Sequence, residues 1–189
     1  TMTTKLKNTL LILCLGVTLF GCEKKPDDPI IPNEEEVITT LILTLTPSGG
    51  GVERVFSFTD LDGDGGNNPV ITIDTLAANT TYSGTLVLLN QQKSPEEDIT
   101  EEVKEESAEH QFFYEVNASN VTVSYRDKDT NGRPLGVSTE FVTGASESGS
   151  LKITLRHEPN KSAAGVDAGQ IQNAGGETDI EVSFNLEVK

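Results

Sequence analysis

The chain has 189 residues, a formal net charge of −16, two cysteines and no tryptophan. So acidic a composition argues against a nucleic-acid-binding protein, because phosphate backbones are bound by basic patches. The length suits one compact domain of ordinary size.

Residues 1–21 have the pattern of a bacterial lipoprotein signal peptide. Lys5 and Lys7 supply the positive start, a short apolar run follows, and Leu-Phe-Gly before Cys22 forms a lipobox. Cleavage would make Cys22 the N-terminus, where acyl chains such as palmitate would anchor the protein stably to a membrane. Since Cys14 would leave with the signal, we expect no disulfide and no thiolate metal site in the mature chain.

Residues 22–36 predict an acidic tether, because three prolines and a high density of charge prevent burial in a core. Its first acids, Asp27 and Asp28, resemble the acidic export tags that follow the lipidated cysteine in surface-exposed lipoproteins of the Bacteroidetes. An ordinary solvated linker would have much the same composition.

Residues 37–189 predict a single β domain. Apolar and polar residues alternate over 37–46 and over 180–188, which is typical of strands with one buried face. Further strand-like runs lie near 52–58, 69–74, 81–90, 111–117, 120–126, 136–143 and 150–157. About nine short strands separated by turn residues indicate an antiparallel β-sandwich of the Ig-like or Greek-key type.

One acidic helix is predicted within this β pattern. Ser94-Pro95-Glu96-Glu97 has the residues of a helix start. The helical spacing continues through Ile99, Val103, Glu106, His110 and Phe113, so that Ile99 and Val103 would dock on the sandwich.

Residues 158–177 lie between the last two predicted strands and are rich in alanine and glycine. They form either a functional loop or a disordered one.

Two acidic loops carry oxygen ligands at alternate positions, a spacing that suits calcium. The candidate calcium ligands are Asp60, Asp62, Asp64 and Asn67 in the first loop, and Asp127, Asp129 and Asn131 in the second. Neither loop has the distal glutamate of an EF-hand, and hairpin turns use the same residue types. Lys128 would also repel a cation in the second loop.

The two histidines form the second candidate site, for a transition metal or a haem iron. His110 follows Glu106 by four residues on the predicted helix, and His157 continues the alternation of the strand before it. Glu106, His110 and His157 are therefore expected at one edge of the core. A histidine paired with Glu106 and a partly buried strand-end histidine would satisfy the same pattern.

The sequence predicts a binding protein rather than an enzyme. It contains no GxSxG, HExxH or phosphate-loop motif, and no Ser/His/Asp or Cys/His order stands out.

Several short segments resemble a family of small Bacteroidetes lipoproteins that is often labelled "type 1 periplasmic binding fold superfamily". The segments are 62–67, 76–82, 109–114, 155–159 and 173–180. The resemblance implies a link to TonB-dependent outer-membrane receptors and carries no catalytic residues. The fold named in that label has parallel strands alternating with helices, whereas the alternation in this chain favours antiparallel strands.

Taken with the lipobox, these features predict a lipid-anchored outer-membrane protein that is exposed at the cell surface. The first functional hypothesis is an accessory protein for metal or haem uptake through a TonB-dependent receptor. The second is a structural or adhesive module whose acidic loops are stabilised by calcium.

Overall fold

The computed structural model describes residues 36–63 and 65–189. The predicted signal peptide, Cys22 and all but the last residue of the predicted tether lie outside these residues, as does Asp64. The described part is mainly β, with ten strands, one α-helix and two short 3₁₀ turns. Within it, no helix has the length and apolar character needed to cross a membrane.

The strands are numbered in chain order. They are β1 (Thr40–Pro47), β2 (Arg54–Thr59), β3 (Val70–Thr72), β4 (Thr81–Asn90), β5 (Glu97–Asp98), β6 (His110–Asn117), β7 (Val121–Tyr125), β8 (Ser138–Thr143), β9 (Glu147–His157) and β10 (Glu177–Val188). Nine of them overlap the segments expected from alternation, and β5, which has two residues, is additional.

The strands form two antiparallel sheets. The larger sheet has the order β3-β2-β1-β4-β8-β7, with β5 paired to β4, and the smaller one has the order β10-β9-β6. Phe56 of the larger sheet and Phe184 of the smaller one meet edge to face, with 5.8 Å between ring centroids. The described architecture is therefore consistent with the predicted β-sandwich.

The hydrophobic core follows directly from the alternation in the sequence. Leu41, Leu43 and Leu45 of β1 are fully buried, and Phe184 and Leu186 of β10 are nearly so. The residues between them point away from the core, because successive side chains of a strand lie on opposite faces. The two predicted faces of these strands are confirmed.

The helix α1 covers Ile99–Glu105 and docks on the sandwich through Ile99 and Val103, as predicted. Its N-cap is Asp98, whose side chain accepts a hydrogen bond from the backbone N–H of Thr100. The Thr100 hydroxyl in turn contacts both the N–H and the carbonyl of Leu88 in β4, which fixes the first turn of the helix on the larger sheet.

The predicted extent of the helix was wrong at both ends. It does not start at Ser94, because Asp98 provides a cap next to the apolar residues that dock. It also ends before His110 and Phe113, which belong to β6. The run of large and aromatic residues from 111 to 114 favours a strand, and this strand pairs with β9 along its whole length.

The long segment between β9 and β10 packs against the domain. It contains 3₁₀ turns at Val166–Ala168 and Ile171–Asn173, and Val166 and Ala174 are buried against Phe113 in a second small apolar cluster. This cluster covers the outer face of β6, so that the segment forms part of the folded domain.

Gly149 in β9 allows a close approach between two strands. A Cβ at this position would overlap the carbonyl oxygen of Asn117 and crowd Ala118. We therefore expect Gly149→Ala to lower the free energy of unfolding by about 1–3 kcal/mol, as overpacking does. Gly49→Ala, where a Cβ meets nothing within 4 Å, is the control. Urea denaturation of both variants checks this, and equal midpoints would contradict it.

Candidate metal centre

The register of the smaller sheet brings the two histidines together. In the pairing of β6 with β9, His110 lies directly opposite His157. The two imidazole rings stack, with 4.7 Å between centroids and an interplanar angle of 22°. His157 lies in phase with Leu151, Ile153 and Leu155, and its residue is only 8% exposed. The pair therefore lies at one end of the sheet, against the core.

A bulge in β10 supplies a carboxylate to this pair. The register of β9 with β10 shifts between Thr178 and Ile180, which places Asp179 at the irregularity. Bulges re-aim side chains, and that of Asp179 is 2% exposed. Its Oδ2 lies 3.8 Å from His110 Nε2, and its Oδ1 lies 3.9 Å from His157 Nδ1.

Glu36 completes the cluster from the segment that precedes β1. Its Oε1 lies 3.1 Å from His110 Nε2, and its side chain is 3% exposed although the sequence placed it in the acidic tether. The cluster of Glu36, His110, His157 and Asp179 has four potential ligand atoms within 4.8 Å of one another. We refer to these four residues as the inner cluster.

The orientation of His110 leaves a ring nitrogen facing the two carboxylates. Its Nδ1 lies 3.3 Å from the carbonyl oxygen of Glu106, the geometry of a donated N–H. In that tautomer the lone pair is on Nε2. His110 Nε2 is within ion-pair distance of Glu36 Oε1, and the second oxygen of that carboxylate, Oε2, is buried and forms no hydrogen bond with any described residue. A buried polar atom without a hydrogen bond needs a partner that the described residues do not supply, such as a water molecule or an ion.

Within the inner cluster, the carboxylates favour the protonated form of His110, and His110 favours the ionised form of Glu36. Burial by itself would lower the pKa of His110, but the contact with Glu36, its charge, the Glu106 carbonyl and the charge of Asp179 outweigh this and raise it. The pKa of Glu36 is lowered, chiefly by its contact with His110. The pKa of nearby Glu102 is raised by burial and then by the charge of Glu36. The surroundings therefore favour positive charge.

The donor set suits a divalent transition metal. Two imidazole nitrogens and two carboxylate oxygens are ligands of zinc, which binds four of them tetrahedrally. Bonds of about 2.0–2.1 Å place tetrahedral ligand atoms about 3.3 Å apart. Three separations in the cluster lie between 3.1 and 3.9 Å, and all four ligand atoms lie within 4.8 Å of one another, so binding would require the side chains to contract and reorient around the ion.

The structure places the three residues of the predicted metal or haem site as follows. His110 and His157 are in contact, whereas Glu106 contributes its backbone carbonyl to His110. Sequence reasoning missed Glu36 and Asp179. Glu36 belongs to a run of three acids, which predicts a solvated segment. The bulge that redirects the side chain of Asp179 depends on pairing with β9.

The described acids of the first predicted calcium loop form a turn. Asp60 accepts hydrogen bonds from the N–H groups of Asp62 and Gly63, and Asp62 accepts them from the backbone and side chain of Asn67. These bonds lower the pKa of Asp62, the Asn67 backbone contributing most. In an Asx turn, the aspartate side chain accepts a hydrogen bond from a backbone N–H group that follows it, so a turn alone accounts for these acids.

In the second predicted calcium loop, the side chain of Lys161 places a positive charge beside Asp129. Asp129 accepts hydrogen bonds from the N–H groups of Asn131 and Arg133, and its Oδ2 lies 2.9 Å from Lys161 Nζ. Burial by itself would raise the pKa of Asp129, but these bonds lower it overall. Asp127 accepts hydrogen bonds from the backbone N–H groups of residues 136 and 138.

No family model, curated protein or solved structure matches this chain. The assignment of a function therefore depends on the inner cluster and on the patterns in the sequence.

Proposed function

We propose that this protein binds one divalent transition-metal ion, zinc in the first instance, through Glu36, His110, His157 and Asp179. The observation that carries the proposal is the convergence of four ligand atoms within 4.8 Å of one another, with the buried Nε2 of His110 facing two carboxylates while its Nδ1 contacts the Glu106 carbonyl. Histidines that bind metals commonly donate their other N–H to such a carbonyl.

The same geometry favours binding over catalysis. Catalytic zinc sites keep one position open for water or substrate, whereas structural sites use four protein ligands. The four side chains of the inner cluster are between 0% and 10% exposed. Four buried ligands would hold the ion tightly and shield it from substrates.

The inner cluster favours a compact ion over haem. A porphyrin needs an open slot beside its axial ligand, and bis-histidine ligation needs one ring on each face of it. Here the rings stack directly on each other, 4.7 Å apart, and His110 is fully buried.

The proposed setting is the outer membrane. The lipobox before Cys22 supports a lipid anchor, and the acids that follow it support exposure at the cell surface. In that setting a metal-binding protein would serve as an accessory to uptake through a TonB-dependent receptor, in agreement with the family resemblance.

We also propose that the sandwich is of the Greek-key type. In that motif the fourth strand returns beside the first, with the spatial order 4-1-2-3. The order β4-β1-β2-β3 in the larger sheet supports this.

Elemental analysis and zinc titration of the purified protein test the proposed function. We expect one zinc per chain, bound with 1:1 stoichiometry after treatment with a chelator and dialysis. Calcium without zinc would instead support the alternative of a surface module with calcium-stabilised acidic loops. The absence of stoichiometric zinc binding would overturn the proposal.

Zinc binding is expected to weaken as the pH falls. His110 must lose its proton from Nε2 to bind zinc, and because its pKa is raised, protons compete from above about pH 6.5 downward. Glu36, whose pKa is lowered, stays ionised over this range. The apparent affinity should fall about tenfold per pH unit for each proton displaced. Competition titrations near about pH 5.5 and about pH 8 measure this, and equal affinities would exclude His110 as a ligand.

A further inference from the structure

The inner cluster is enclosed, so an ion needs a route to it from solvent. The side chains of His110, Glu36 and Asp179 are 0%, 3% and 2% exposed, and that of His157 is 10% exposed. His157 is therefore the most exposed side chain of the inner cluster.

A second group of ligands shares His157 with the inner cluster. The ligand atoms of Glu109, His157 and Glu158 lie within 4.8 Å of one another, and both glutamates are exposed. The backbone N–H of Glu158 donates a hydrogen bond of 2.6 Å to the carbonyl of Glu109, which holds the two residues side by side. We refer to these three residues as the outer group.

We propose that the outer group is an entry site that captures a divalent metal ion from solvent and transfers it to the inner cluster through their shared ligand, His157. The inference rests on the proposed function of the inner cluster. Two exposed carboxylates replace part of the hydration shell of the ion, and the imidazole that binds it there also belongs to the buried set. The ion then exchanges water and carboxylate oxygens for His110, Glu36 and Asp179 without returning to solvent.

A second approach to the inner cluster exists and is less suitable. Glu36 also lines a cleft of about 190 Å³ together with Lys93, Glu97 and Glu102. Lys93 repels a cation there, and the cleft does not bring a histidine to its mouth. Acids on both sides attract cations, so the two routes must be separated by kinetics.

The test is the rate of zinc binding to the full chain, measured by stopped flow with a fluorescent zinc indicator. Glu109→Gln combined with Glu158→Gln should slow association and dissociation by the same factor, about tenfold, because charged entry sites raise association rates by at least that much. The equilibrium affinity should change much less than either rate constant, since an entry route changes the barrier between the free and bound states and not the states themselves.

The matched control is Glu97→Gln combined with Glu102→Gln, which removes the same charge from the cleft. We expect both of its rate constants to stay within about twofold of the unmodified protein. Slowing by the control pair alone would show that ions enter through the cleft and would overturn the inference. Unchanged rates in the Glu109 and Glu158 variant would overturn it as well, while leaving the proposed function intact. If the unmodified protein binds no zinc, the proposed function itself fails.

Discussion

His110→Gln is expected to abolish stoichiometric zinc binding and to remove the stabilisation that zinc provides. His110 faces both carboxylates of the inner cluster, with Nε2 at 3.1 Å from Glu36 and 3.8 Å from Asp179. A ligand present at about one hundred times its dissociation constant stabilises a folded protein by about 2.7 kcal/mol. In a domain of this size, zinc should therefore raise the Tm of the unmodified protein by about 5–10 °C, and of the variant by almost nothing.

Thermal unfolding with zinc and with a chelator measures this difference. A general loss of packing would lower the Tm equally in both conditions, whereas loss of a ligand removes only the zinc-dependent part. Glu36→Gln provides a second variant outside the sheets, where the fold depends less on the residue. A full zinc-dependent rise in both variants would contradict the proposed site.

Lys161→Met is expected to destabilise the domain strongly, because it breaks a buried ion pair. Lys161 Nζ lies 2.9 Å from Asp129 Oδ2, and it donates to the carbonyls of Ser107 at 2.6 Å and Pro134 at 3.1 Å. The two charged side chains are 4% and 0% exposed. Removing one partner of a buried pair leaves an uncompensated charge, so we expect a loss of about 3–5 kcal/mol in the free energy of unfolding.

Urea denaturation measures this loss, and the double variant Lys161→Met with Asp129→Asn is the control. The amide oxygen introduced by the second substitution can still accept a backbone hydrogen bond without leaving a buried charge, so the double variant should be more stable than Lys161→Met alone. The folded-state pKa of Asp129 is lowered, so the contribution of the pair is present at neutral pH and is lost as the pH falls through that pKa. The effect of Lys161→Met should therefore shrink in acid. A loss below about 1 kcal/mol at neutral pH would show that the pair is effectively solvated.

The strands and the core were predictable because alternation is a local property. Leu41, Leu43 and Leu45 are buried for the same reason that they recur at every second position, and the phase that places Leu155 inward also places His157. The docking residues of α1, Ile99 and Val103, were recognisable from their spacing in the same way.

The end of the helix was not predictable from spacing. His110 fits a helical stripe as well as it fits the start of a strand, and only pairing with β9 decides between the two. The strand pairs at eight positions with β9 and satisfies the backbone groups of 110–117 that face it, whereas a longer helix would leave the edge of β9 open.

By itself, the sequence determined the alternation of buried and exposed residues and the acidity of the chain, and it predicts lipidation at Cys22, because each of these depends on neighbouring residues or on composition alone. Only the tertiary structure decided which distant residues meet. Glu36 reaches His110 from before the first strand, and Asp179 reaches it through a bulge. Lys161 likewise finds Asp129 across 32 positions of the chain. Such contacts depend on the register and on the packing of two sheets, and no local pattern encodes either of them.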